Sequence, residues 1–280
     1  MRSKSLRIGV VPYLNMQPLI FGLKECLPSS RVLPQSPRVM AQSLERGELD
    51  LAMLPVVAAF EHPEYCILPC GAIVSHGTVQ SVLLVGKTAF NGKTTILLDH
   101  ESRTSNLLCR LLAREWFKAE PTFISPDQPE YEKFRDNPPD NALRVLIGDR
   151  ALEAAPQSGV VYDFGECWNS LTGLPLVCAV WMVRPDVDLG DLPDVLSRVK
   201  KENLKRLGEI VDASPRIPGM SKNDCVNYLR CSIQYDFGPQ EDAGLRELYR
   251  MSVAAGLSPK GWAPHYYREA SIKSKGGNNL

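Results

Sequence analysis

Through residue 183, short apolar runs alternate with stretches of helical spacing, and that alternation admits few folds. Strand-like runs fall at 6–11, 49–54, 79–86, 95–98, 144–147, 160–162 and 176–183. Helix-like stretches, including 39–46 and 105–118, lie between them. Strand–helix alternation implies parallel sheets with crossover helices, so the sequence predicts an α/β fold. From residue 192 the pattern turns helical: 192–211, 222–233 and 240–255 carry apolar residues three and four apart. Gly256 reads as the C-cap of the last helix, and 273–280 as a polar, frayed tail.

A chain of 280 residues holds one large domain or two smaller ones. Lys plus Arg (32) balances Asp plus Glu (32), which argues against a nucleic-acid partner, since such binders carry a basic excess. No apolar run reaches the ~18 residues that cross a membrane, so no membrane partner is expected. After the basic start Met1-Arg2-Ser3-Lys4-Ser5, the next stretch is broken by Arg7, Gly9 and Pro12. It lacks the continuous apolar core of an export signal, and a cytoplasmic location is expected. The eight cysteines then read as free thiols. His62, Cys66 and Cys70 are four apart, but Pro63 and Pro69 break the helix that would align them, so no metal site is expected.

Open α/β sheets bind ligands at the carboxyl ends of their strands, and polar residues gather at several such ends. The first strand stops at Pro12, the polar tip Tyr13-Leu14-Asn15 follows, and Pro18 suits the first turn of a helix. Asn15 either exchanges hydrogen bonds with a ligand or serves as an N-cap. The stretch Leu98-Asp99-His100-Glu101-Ser102-Arg103-Thr104-Ser105 leads from a strand into an amphipathic helix. Ser102, Thr104 and Ser105 crowd its N-terminus, where unpaired N–H groups and partial positive charge favour a carboxylate or phosphate. One hydroxyl must cap the helix; three exceed that need.

Two more turns share this character. Ser75-His76-Gly77-Thr78-Val79-Gln80-Ser81 precedes a buried strand, and His76 is the histidine best placed for proton transfer. Gly148-Asp149 ends a strand, and Asp149 either accepts from a ligand hydroxyl or caps the following helix. By contrast, Gly86 to Thr94 only approaches a phosphate-binding loop. Five residues separate its first glycine from Gly92-Lys93 where the motif needs four, and a strand rather than a helix follows. Asn91-Gly92 reads as a turn between strands.

Several segments together resemble one family. They are Val11-Pro12-Tyr13-Leu14-Asn15, Ser102-Arg103-Thr104-Ser105, Gly148-Asp149-Arg150-Ala151-Leu152, the block from Tyr162-Asp163-Phe164-Gly165 through Trp168 to Thr172-Gly173-Leu174-Pro175, and Ala179-Val180-Trp181. In that order they resemble the chorismate dehydratases, the menaquinone-biosynthesis enzymes that open the futalosine route. The resemblance spans about 7–257.

It implies a periplasmic-binding-protein-like fold of type II, with two α/β lobes around a ligand cleft. The expected lobes are 1–86 plus 178–280, and 87–177, with crossings near 85–94 and 174–180. Asn15 and the Ser75–Ser81 turn would face Thr104, Ser105 and Asp149 across the cleft, and Tyr13, Ser75, Ser81, Ser102, Thr104 and Ser105 are the substrate-binding candidates. Trp168 would pack against ligand or against the helix beneath it. The implied substrate is chorismate, dehydrated to 3-[(1-carboxyvinyl)oxy]benzoate without cofactor or metal. The catalytic candidates are Asn15, His76 and Asp149, or the substrate's own enolpyruvyl carboxylate acts as base. Two other readings stand beside it: the related 1,4-dihydroxy-6-naphthoate synthase, against which the Tyr13-Leu14-Asn15 tip argues, and a non-catalytic solute-binding protein.

Overall fold

The computed structural model describes residues 5–185 and 187–267. Among the described residues, ten strands build two five-stranded sheets. The first holds β1 (Arg7–Val10), β2 (Arg31–Pro34), β3 (Leu51–Pro55), β4 (Cys66–Ser75) and the late strand β10 (Leu176–Val183), in the order β2-β1-β3-β10-β4. The second holds β5 (Val82–Gly86), β6 (Thr95–Leu97), β7 (Thr122–Ile124), β8 (Ala142–Ile147) and β9 (Val160–Asp163), in the order β7-β6-β8-β5-β9. In each sheet three parallel strands are followed by one strand antiparallel to both of its neighbours. That strand is β10 in the first sheet and β5 in the second.

The central strands read as unbroken apolar runs because both faces are covered. Residues 51–54 of β3 and 82–85 of β5 are buried without alternation, as expected where helices flank a sheet on both sides. One apolar core runs through both sheets and takes in Trp168, Trp181, Tyr228 and Phe60. Among the described residues, no helix is long and apolar enough to cross a membrane.

The chain passes between sheets twice. Residues 76–81 carry it from β4 to β5, and the helix Phe164–Thr172 with its flanks carries it back from β9 to β10. The expected crossing at 85–94 is therefore corrected. Those residues join β5 to β6 within the second sheet, so β5 belongs with 87–177 rather than with 1–86. The Asn91-Gly92 turn reverses the chain inside one sheet instead of leaving it. The second crossing ends close to the expected 174–180.

The two crossings lie against each other. A Cβ on Gly165 would stand 2.2 Å from the Gly77 carbonyl and 2.6 Å from the Ser75 hydroxyl, so only glycine fits there. The Asp163 carboxylate accepts the N–H groups of Val79 at 3.0 Å and Gln80 at 2.7 Å, tying the outgoing segment to the end of β9.

Three strands escape the sequence pattern. β2 and β7 are short, and β4 contains Pro69 and Gly71. Pairing of β4 with β10 jumps from Val180↔Ala72 to Trp181↔Leu68, which bulges residues 69–71 out of the ladder. A proline is tolerated at such a bulge on an edge strand.

Candidate functional site

The tip after β1 forms a short 3-10 turn, Leu14–Met16, not a helix capped by Asn15. The following helix, Gln17–Ile20, has Met16 at its N-cap and no side-chain cap bond, so the N-cap alternative for Asn15 fails. Tyr13 packs its ring onto Gly148. A Cβ there would come within 2.9 Å of the ring, and the backbone holds φ +58°, so glycine is required on both counts. Burial pushes the Tyr13 phenol up to about 12.

Asp149 follows Gly148 and does not cap its own helix. Its Oδ1 instead accepts the Leu14 N–H at 3.0 Å, satisfying an orphan donor at the start of the 3-10 turn on the other side of the cleft. Burial raises its carboxyl above the ordinary range, against the lowering effect of that N–H.

Opposite this tip begins the helix Arg103–Glu115. Ser102 is its N-cap and accepts the Ser105 N–H at 3.2 Å. The Ser102 hydroxyl donates to Ser105 Oγ at 2.8 Å. Thr104 Oγ1 accepts the Val57 N–H at 3.3 Å, a bond that joins this helix to the N-terminal end of the helix Val57–Glu61 after β3. All three hydroxyl residues are buried. Capping thus uses Ser102 alone, and the O–H groups of Thr104 and Ser105 remain as donors beside the helix N-terminus.

Tyr13, Asn15, Ser81, Ser102, Thr104 and Ser105 line one inner cavity of 80 Å³, with Pro55, Met53, Cys178 and other apolar groups around them. None of its lining residues among those described carries a charged side chain. An anion held there would meet hydroxyls, an amide and a helix N-terminus rather than a lysine or arginine. The cavity shares Pro37, Pro55 and Ser102 with an outer groove of 380 Å³, whose walls include Arg38, His62, His100 and Arg103. Arg103 reaches across to Glu61 at 2.5 Å, and Arg150 is held by the buried Asp99 at 2.9 Å.

Three expected site residues stand apart from the cavity. Ser75 is fully buried behind it against Gly165, and its hydroxyl meets no partner. His76 lies on the outgoing crossing, where its Nε2 pairs with Glu241 Oε1 at 2.6 Å. Trp168 is a core residue whose Nε1–H donates to the Pro175 carbonyl at 3.0 Å, bracing the returning crossing. Asp149 borders the cavity through Gly148 without lining it. Among the described residues no group of His, Cys, Asp and Glu is placed to hold a metal, and the cysteines are free.

Tyr228 carries no site motif in the sequence. It starts a widened π-helical turn, Tyr228–Ser232, and its hydroxyl faces Ser81 and Asn15 from behind. Spacing marks 222–233 as helical, but a π-turn leaves no periodic signal of its own.

The chain is similar to several known proteins. A chorismate dehydratase of Thermus thermophilus is 28% identical over 94% of this chain and 98% of its own length. Protein AF1704 of Archaeoglobus fulgidus superposes with a TM-score of 0.70 at 18% identity, over 92% of this chain and 100% of that one. The alkanesulfonate-binding protein SsuA of Xanthomonas axonopodis gives 0.59 at 14% identity, over 91% and 94%. These structural likenesses show the fold, which is periplasmic-binding-protein-like with two α/β sheets. A family model described as menaquinone biosynthesis matches residues 6–254, and the chain belongs to that family.

Proposed function

We propose that this protein is a chorismate dehydratase, a carbon–oxygen lyase that converts chorismate to 3-[(1-carboxyvinyl)oxy]benzoate and water. The observation that carries the reading is the uncharged inner cavity, where the Asn15 tip faces the Thr104 and Ser105 hydroxyls at a helix N-terminus. The Thermus relative bears the same activity in its name. Each sheet would centre one lobe, with 76–81 and the segment before β10 as the hinge. The free cysteines suit a cytoplasmic setting.

The reaction removes the proton on the ether-bearing ring carbon and the hydroxyl on its neighbour, leaving a benzene ring. As the C–H bond breaks, charge spreads through the adjoining double bond into the ring carboxylate. Donors aimed at that carboxylate stabilise the transition state more than the ground state, which is the requirement for catalysis. Thr104 and Ser105 supply such donors without a formal charge. Asn15 and Ser81 lie opposite, where they would hold the departing hydroxyl and the enolpyruvyl arm.

The geometry favours the substrate's enolpyruvyl carboxylate as the base. His76 is paired with Glu241 away from the cavity, and Asp149 is engaged by the Leu14 N–H. An intramolecular base needs only to be oriented, and orientation is worth several kcal/mol, up to about 7–11 in well-aligned cases. Incubation with chorismate, followed by loss of its diene absorbance and appearance of the aromatic product, tests the proposal. An unchanged spectrum at high protein concentration overturns it.

A further inference from the structure

Tyr228 is among the largest fully buried side chains, and its hydroxyl meets no hydrogen-bond partner. Phenylalanine would fill the same space without stranding a polar atom, so packing does not account for the hydroxyl. The group faces Ser81 and Asn15, but neither at bonding geometry. Those two residues line the inner cavity from different segments, and the buried Tyr228 hydroxyl neighbours both without lining the cavity itself.

Its placement is built in. The ring is delivered by the π-turn Tyr228–Ser232, a feature that re-aims side chains relative to a regular helix. The far end of that turn is fastened to the outgoing crossing, where Gln80 Nε2 donates to Ser232 Oγ at 2.7 Å. Gln80 itself sits at φ +59°, a left-handed conformation that non-glycine residues seldom hold. Its N–H is anchored on Asp163. A strained residue bonded at both backbone and side chain thus links the π-turn to Ser81, its neighbour in sequence.

We propose that Tyr228 is a positioning residue, whose hydroxyl bonds the Ser81 hydroxyl and the Asn15 amide as the cleft closes, fixing both for the elimination. This rests on the dehydratase reading. Tyr228→Phe removes the hydroxyl alone. The expected result is kcat at least tenfold lower, KM within about threefold of the parent, and a thermal midpoint equal or higher. A second arm adds Asn15→Ala. If Tyr228 acts through Asn15 and Ser81, the double variant is much less impaired than the product of the single effects.

A Tyr228→Phe kcat within twofold of the parent overturns the proposal while leaving the dehydratase reading intact. A midpoint lowered by more than about 5 °C marks the hydroxyl as structural and overturns it too. Fully multiplicative effects with Asn15→Ala do the same. If the parent protein leaves chorismate untouched, the dehydratase reading fails first and the positioning role falls with it.

Discussion

Replacing Thr104 by valine keeps the side chain's shape and exchanges its hydroxyl for a methyl group. Two losses follow. The Val57 N–H, which donates to Thr104 Oγ1 at 3.3 Å, is stranded in a buried setting. An unsatisfied buried donor costs about 1–3 kcal/mol. The donor we propose for the substrate's ring carboxylate also disappears, and a hydrogen bond to a charged group contributes about 1.5–3 kcal/mol. The two share one oxygen and do not add fully. A combined 2–4 kcal/mol corresponds to a fall in kcat/KM of roughly 30-fold to nearly 1,000-fold. Because Val57 and Thr104 begin helices on opposite sides of the cleft, part of the loss acts on closure and raises KM as well. Thr104→Ser keeps the oxygen and should stay within about threefold. Steady-state loss of diene absorbance for the parent and both variants is the assay. Activity of Thr104→Val within twofold of the parent would refute the reasoning. Equal damage in Thr104→Ser would shift the cause to the lost methyl contact.

Asn15→Asp places a negative charge where we propose that chorismate, with its two carboxylates, binds, and Asn15 caps no helix. KM for chorismate should rise more than tenfold with the thermal midpoint little changed; a normal KM would remove Asn15 from the site. Gly148→Ala forces a side chain into φ +58° and against the Tyr13 ring. Strain of about 1–3 kcal/mol should lower the midpoint by roughly 2–10 °C and weaken substrate binding, and an unchanged midpoint would contradict the packing described. Asp149 has a carboxyl raised by burial above its ordinary 3.8. Folding therefore disfavours its ionised form, so its contribution to stability is greatest below 3.8 and is lost as pH rises through the raised folded value. Asp149→Asn keeps an acceptor for the Leu14 N–H and should flatten the pH–stability curve just above pH 3.8, measured by denaturation across pH; an identical slope would show that Asp149 does not titrate with folding.

The sequence carried the fold wherever a local signal and the tertiary role agreed. The apolar runs of β3 and β5 are buried on both faces and those of β1 and β10 nearly so, and composition alone exposed them. β4 was hidden because Pro69 and Gly71 are breakers in isolation and become a bulge only when β10 lies alongside. Nothing local tells which sheet a strand joins, and so β5 was assigned to the wrong side of a crossing. Of the residues that line the candidate cavity, Tyr13, Asn15, Ser102, Thr104 and Ser105 are legible because strand ends and helix starts are written in polar clusters. Ser75, His76 and Trp168 belong to the same clusters, yet the backbone turns them toward Gly165, Glu241 and Pro175. Tyr228 had no cluster to betray it: it is an apolar-looking residue in a helical stretch, brought to Asn15 by a contact more than two hundred positions away in sequence.

The antiparallel strand inserted fourth in each sheet gives the two halves unequal histories as the chain leaves the ribosome. Every strand of the second sheet lies within 82–163, so that sheet can close as soon as β9 emerges. The first sheet cannot. Among the described residues β10 is the one named strand that pairs with β4, and β10 is synthesised roughly a hundred residues later. Until then β4 presents the apolar residues Ile67, Leu68, Ile73 and Val74 on an unpaired edge. An exposed edge of that kind recruits other chains, and long-range pairing is slow to rescue it. Pro69, which has no N–H to offer, interrupts that edge in the middle and leaves a nascent β4 a poorer template for a stranger.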